Sequence, residues 1–383
     1  VLRQVTATFV YGLTATPIRK DGHQPIIFMQ CGKIRFTSDT KSQMENQGFK
    51  RLLIPRFTSF RSITSDRKTY VQITQELSED KVRNEFVMED VKAAIQKGRT
   101  PLLLTTRTAH VKVLAQMLMP FADHVIQLIG ADSAKEKRLA LQNLQSIPTS
   151  ESLVIVATGK YVGEGFDYPR LDTLFLTMPI AWKGNVEQYA GRLHREYEGK
   201  SEVCIYDYVD IRVPLCDSMY RKRLKGYIKA GYGKNVTSPA PDKNSQELIY
   251  EQNNYEAAFR NDLAKAKHSV VIAVPKVKFK YKPSIMSALA NLLHDGVSVV
   301  VHIKEEGANE TELSNAGMDV VCNKEQTLQC AIIDKSIVWY GNINFFGYNS
   351  ETNNVMRIAD YKIANEMMEI LYSATENKAN ETR

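Results

Sequence analysis

Apolar residues in this chain come in short unbroken runs, separated by stretches whose apolar positions recur at helical spacing. Pro101-Leu102-Leu103-Leu104-Thr105 is one run, and Val111, Leu114, Ala115 and Leu118 follow it with a helical period. Val125 to Ile129, Leu153 to Ala157, Thr173 to Leu176 and Val203 to Tyr206 continue the series. Runs without polar alternation predict strands buried on both faces, and helices between them predict a parallel sheet. This unit starts near Leu52-Leu53-Ile54. Ahead of it, Thr8 to Leu13 is a strand-like run trailing into a polar, irregular stretch. Behind it, Gly231 to Asp242 is rich in turn-forming residues and reads as a linker. The alternation restarts with Val270 to Val274, a helix through Ile285, Leu289 and Leu292, and Val297 to Val301. The expected architecture is α/β throughout: residues 1–50 as the tail of one domain, 51–235 as a whole one, and 243–383 as a smaller one.

Composition narrows this picture. A chain of 383 residues allows two or three domains, and 43% hydrophobic with 24% charged residues is globular, not disordered. No apolar run is long enough to span a bilayer, so no membrane partner is expected. The start at Val1 has no initiator Met and no signal pattern, which leads us to expect a longer parent chain. Five cysteines without a CxxC pair favour neither a zinc site nor a disulfide framework, and a reducing, cytoplasmic setting is expected. The net charge of +7 leans toward a polyanion partner, although alone it is a weak signal.

Three segments carry candidate chemistry. Gly12-Leu13-Thr14-Ala15-Thr16-Pro17 ends an apolar strand, where small hydroxyl residues can relay hydrogen bonds to a neighbouring lobe. Ala157-Thr158-Gly159-Lys160-Tyr161-Val162-Gly163-Glu164-Gly165-Phe166-Asp167 follows a parallel strand, where backbone N–H groups can approach a phosphate. Gln188-Tyr189-Ala190-Gly191-Arg192-Leu193-His194-Arg195 sits on an expected helix. Arg192 and Arg195, three residues apart, would share its face as a guanidinium pair suited to phosphoryl charge. Each segment alone also fits an ordinary turn, a glycine-rich loop or a solvated basic helix face.

Taken in order, TATP, ATGKxxGEGFD and QYAGRLHR resemble motifs III, V and VI of superfamily-2 helicases, and Thr105-Thr106-Arg107 resembles motif IV. Arg19-x-Asp21-Gly22 is similar to the DNA-repair helicases and type III restriction subunits of that superfamily. The resemblance spans residues 5 to 230 and implies a RecA-like second lobe acting with ATP and Mg²⁺ on nucleic acid, DNA being the expected track. It implies that Thr14, Ala15 and Thr16 couple the lobes, and that Thr105, Arg107, Thr158 and Gly159 contact the nucleic-acid backbone. It places Gly165, Asp167, Gln188, Arg192 and Arg195 at the nucleotide, with Arg195 as the arginine finger and Gln188 and Arg192 beside it. The pattern departs from the family in lacking a GxxxxGK[ST] loop and a DExx box. Gly199-Lys200-Ser201 has the right last letters but precedes a strand. The expectation is that phosphate loop and Mg²⁺ ligands lie upstream, and that this chain alone does not hydrolyse ATP.

In the last domain, Asp334, Gly341 and Asn344 fall on the HxKxxxxD and GSxN spacing of the phospholipase D family. Thr327 and Gln329 stand where that family has its His nucleophile and its Lys. The resemblance implies a phospholipase D-like fold with a degenerate site, kept for binding nucleic acid or a protein partner. Lys276 to Lys282 alternates cations with apolar residues, as a phosphate-contacting or a protected edge strand would. Met219 to Lys229 also mixes cations with Tyr, and a docked helix with solvated cations is the favoured reading. Two other readings are a phospholipase D-like nuclease or phosphodiesterase, and an adaptor without ATPase activity.

Overall fold

The computed structural model describes residues 12, 25, 28–29, 32–36, 49–62, 68–130, 133–163, 166–180, 185–232, 249–278, 282–304, 308–324, 328–351 and 353–381. The chain divides into two compact units, Val1–Gly48 and Phe49–Arg383. Thr14, Ala15, Thr16, Gly165 and Thr327 lie outside the described residues, as does most of the expected linker.

The second unit holds two sheets. The first has six strands, all parallel: β1 (Lys50–Phe57), β2 (Pro101–Thr105), β3 (His124–Leu128), β4 (Leu153–Thr158), β5 (Thr173–Leu176) and β6 (Glu202–Val209). Their spatial order is β1-β6-β5-β2-β4-β3. Every residue of β2, β4 and β5 is buried, which is why these segments show no polar alternation. Helices α1 (Tyr70–Glu79), α2 (Lys81–Gln96) and α3 (Thr108–Leu118) precede and follow β2. On one face of the sheet, Val87 and Val91 of α2 and Val111, Leu114 and Leu118 of α3 pack on Leu103, Val154, Val156 and Phe175. On the other face lie α4 (Ala134–Ser146), α5 (Gly159–Gly163), α6 (Asn185–Leu193) and α7 (Pro214–Lys229). Capping boxes at Thr69 and Ser133 start α1 and α4, and the Asp80 side chain caps α2.

The second sheet has seven strands in the order β10-β9-β8-β11-β12-β13-β7. These are β7 (Ile249–Glu251), β8 (Ser269–Ala273), β9 (Ser298–Ile303), β10 (Asp319–Cys322), β11 (Cys330–Ile333), β12 (Ile337–Gly341) and β13 (Asn354–Ala359). The first three in spatial order run parallel, and the rest pair antiparallel. Helices α8 (Tyr255–Leu263) and α9 (Pro283–His294) cover one face. Between β9 and β10 runs α10 (Ala308–Asn315), and α11 (Tyr361–Glu381) closes the chain on the opposite face.

The two sheets are not beads on a linker. One core runs from Leu53 and Phe57 of β1, through Tyr220 and Leu224 of α7 and Ile363, Met367 and Leu371 of α11, to Val338, Tyr340 and Met356. At the seam, the Phe57 and Tyr340 rings meet edge-on at 5.1 Å, and Tyr220 stacks on Tyr340 at 5.8 Å. The Tyr340 hydroxyl donates to the Asp217 carboxylate of α7. Among the described residues, no helix is long and apolar enough to cross a membrane.

Candidate nucleotide and nucleic-acid site

Register places the motif-bearing turns side by side. Thr105 at the end of β2 pairs with Thr158 at the end of β4, Leu128 of β3 with Ala157, and Leu104 with Leu176 of β5. Whatever follows these strands emerges along one carboxyl edge, where open parallel sheets bind ligands. Hydrogen bonds then join the turns. The Gly130 N–H donates to Thr158 Oγ1 at 2.8 Å, and the Tyr189 hydroxyl of α6 donates to the Gly159 carbonyl at 3.0 Å. A Cβ on Gly159 would stand 2.4 Å from that hydroxyl, so any larger residue there would displace it.

The arginines differ from the sequence expectation. Helix α6 ends at Leu193, so Arg195 lies past it in the turn and does not share a helix face with Arg192. Its Nε donates to Asp167 Oδ1 at 3.1 Å, with both side chains about half exposed at 52% and 47%. Arg192 has its Nε buried with no hydrogen-bond partner among the described residues. Gln188 is exposed one helical turn before it. The half-exposed Arg195 guanidinium, held by one half-exposed carboxylate, is accessible to an incoming anion. His194 between them is neutral: burial pulls its pKa down to about 3, and it meets the Tyr232 hydroxyl at 3.0 Å.

Thr105 also sits differently. It is fully buried, its hydroxyl 2.9 Å from Nδ1 of His110, whose Nε2 meets Asn84 at 2.9 Å. Burial, with Arg83 and Arg107 nearby, lowers the His110 pKa to about 3. The Thr105 hydroxyl accepts the Arg107 peptide N–H at 3.3 Å, so it anchors that turn and does not face a polymer. Arg107 Nη1 donates to the Val71 carbonyl at 3.2 Å.

Sequence reading missed the buried ion pairs beneath this edge. Arg83 of α2 forks onto Asp210 at 2.7 and 3.0 Å and donates to the Thr177 carbonyl at 2.7 Å. Arg223 of α7 forks onto Asp207 at 2.9 and 2.7 Å and donates to the Ile180 carbonyl at 2.9 Å. Both arginines thus brace the segment between β5 and α6. The only signal was the mixture of Arg with buried apolar neighbours, which also describes a solvated face.

In the second sheet, the described phospholipase D-like positions gather only in part. Gln329 precedes β11, and its backbone carbonyl accepts from Gly341 N at 3.3 Å, so it shares one sheet end with the Asn344 loop. Asp334 lies at the other end of β11, roughly 15 Å away by strand rise. It and Lys335 form a left-handed turn with φ of 48° and 49°. The Asp334 carboxylate accepts the N–H groups of Lys267, His268 and Ser269 at 2.8–2.9 Å. Partial burial opposes its charge, but these donors outweigh it and hold its pKa below the ordinary value. Asn344 spends its amide on the Lys276 carbonyl at 2.8 Å and the Phe346 N–H at 3.0 Å. Both residues therefore have structural work that explains them without catalysis. Gln329 Oε1 is buried without a partner among the described residues.

No family model matches this chain. Among curated proteins it is similar to the transcript termination protein A18 of Myxoma virus, strain Lausanne, at 27% identity over 155 residues, covering 39% of this chain and 31% of the relative. The A18 protein of Vaccinia virus, strain Ankara, is 25% identical over 197 residues, covering 51% and 36%. The chain thus spans about a third of the length of these relatives. Among solved structures, T4 UvsW matches with 19% identity and a TM-score of 0.35, over 43% of this chain and 33% of that one. The phospholipase D family member Nuc of Salmonella typhimurium matches with 20% identity and a TM-score of 0.29, over 33% and 91%. At such scores the fold is read from the two sheets themselves.

Proposed function

We propose that this chain is the C-terminal portion of an ATP-driven superfamily-2 helicase or translocase acting on nucleic acid, with DNA as the expected track. The observation that carries the reading is that the segment after β4, beside the end of β2 at the carboxyl edge, is tied to the QYAGRLHR segment by Tyr189 to Gly159 and by Arg195 to Asp167. In this reading Arg195 and Arg192 stabilise phosphoryl-transfer charge, and Gln188 and Asp167 line the nucleotide. The exposed edge around Thr106, Arg107, Gly130 and Lys160 faces the polymer backbone. In this reading Mg²⁺ arrives with ATP, held by its phosphates and by carboxylates outside the described residues. The A18 relatives are named for transcript termination, and a track within a transcription complex is consistent with that name.

The second-sheet domain is assigned a binding role, since Asp334 and Asn344 are committed to holding turns. The test is ATP hydrolysis by the gene product that contains this chain, with no polymer, duplex DNA, single-stranded DNA and RNA. Stimulation by one polymer supports the reading and names the track. Equal rates in all four conditions contradict it.

A further inference from the structure

We propose that Lys200 is a positioning residue for the arginine of motif VI: its ammonium clamps the end of α6 to the loop bearing Asp167, and so sets where the Arg195 guanidinium stands. Lys200 Nζ donates to three backbone carbonyls, Leu193 at 3.1 Å and Arg195 at 2.8 Å on one side, Pro169 at 2.5 Å on the other. Pro169 is two residues past Asp167 and Arg195 supplies one of the carbonyls, so one cation holds the main chain beside both members of the Arg195–Asp167 pair.

The local sequence builds this arrangement. Lys200 N donates to the Tyr197 carbonyl at 3.0 Å, closing a turn in which Gly199 has φ of +79°. A Cβ at 199 would meet nothing within 4 Å, so glycine is needed for the left-handed backbone and not for space. The turn brings the lysine back beneath the helix end, where carbonyl dipoles favour a cation. A simple helix cap would need Leu193 alone. The bonds to Arg195 and Pro169, both outside the helix, are what tie motif VI to motif V. The Gly199-Lys200 pair that resembles a phosphate loop thus has a different task.

The clamp is sensitive to protonation. Burial brings the Lys200 pKa down to about 8, against the pull of Asp172. Arg99 also faces Asp172, and His194 beside the clamp is neutral. Deprotonated, the amine has two N–H groups for three carbonyls and no charge for the helix end.

This inference rests on the motor reading, and two measurements separate them. The first is polymer-saturated ATP turnover by the gene product, comparing wild type, Lys200→Met and Lys200→Arg. Lys200→Met is expected to lower kcat about tenfold or more with KM for ATP within about twofold, because misplacing a catalytic group acts on the transition state. Lys200→Arg recovers most of the rate and moves the alkaline fall of kcat, expected above about pH 8 in wild type, to higher pH. Unchanged kcat in Lys200→Met overturns the proposal. The second is amide hydrogen exchange in the 383-residue chain. Residues 166–170 and 193–199 should exchange faster in Lys200→Met while α3 and β2 do not change. If wild type shows no polymer-stimulated turnover, the motor reading fails and exchange alone judges the clamp: unchanged exchange in both segments overturns it.

Discussion

Removing the Arg223 guanidinium should cost this chain more stability than any surface cation can. Arg223 and Asp207 have side-chain exposures of 1% and 0%, and two short bonds join them. In Arg223→Met, the Asp207 carboxylate keeps only the Tyr227 hydroxyl at 2.6 Å among its side-chain partners here, and the Ile180 carbonyl loses its donor. Leaving a buried charge uncompensated costs about 3–5 kcal/mol. For a cooperative unit as long as Phe49–Arg383 that corresponds to a Tm lower by about 4–7 °C. Thermal unfolding followed by circular dichroism reads this directly. Asp207→Asn with Arg223→Met should be less destabilised than the sum of the single changes, by about 1–3 kcal/mol. A Tm for Arg223→Met within about 2 °C of wild type, or strict additivity, would show that the buried pair does not carry this stability.

Burial raises the Glu366 pKa to about 7 at the seam, only partly offset by Arg56, so its stabilising contribution is present at low pH and lost as pH rises through that value. Glu366→Gln should therefore gain about 1–2 kcal/mol near pH 8, discounted for partial exposure, and nothing near pH 4, measured by urea unfolding. His110, His194 and His302 have pKa values lowered to about 3, 3 and 4, chiefly by burial. Stability should then fall as pH drops below the ordinary histidine range, by up to about 4 kcal/mol per pH unit from the three together. Acid titration of His302→Leu should show a shallower slope, and an identical slope counts against the assignment. Gly159→Ala should lower polymer-stimulated turnover by displacing the Tyr189 hydroxyl, and adding Tyr189→Phe should restore part of it; equal rates in all three proteins would remove Gly159 from the account. Differential scanning calorimetry should show both sheets melting in one transition, with Tyr340→Phe lowering its Tm by about 2–4 °C for a lost bond to a charged group.

The first sheet was legible because strands buried on both faces leave no alternation, and β2, β4 and β5 are buried at every position. The turns after β2 and β4 were legible because they follow those strands directly. Helix α2 was not read, since buried Arg83 and Asn84 interrupt its apolar stripe. Arg223 sits in a basic run that looks like a solvated face, and only its distant partner Asp207 shows otherwise. The seam was hidden for the same reason: Phe57, Tyr220 and Tyr340 come from segments far apart, and a turn-rich stretch between domains reads as separation. Arg195 was expected on a helix because its spacing from Arg192 fits one, but the Lys200 contacts gather the chain into a turn after Leu193.

In the proposed motor, Arg195 serves ATP hydrolysis that nucleic acid stimulates. The measurement is kcat for ATP in the gene product containing this chain, with its best stimulating polymer, for wild type and Arg195→Ala. Loss of an arginine finger predicts a fall of about 10³-fold or more, with the fold intact by circular dichroism. A wild-type rate that responds to polymer and is unchanged by Arg195→Ala would contradict the account.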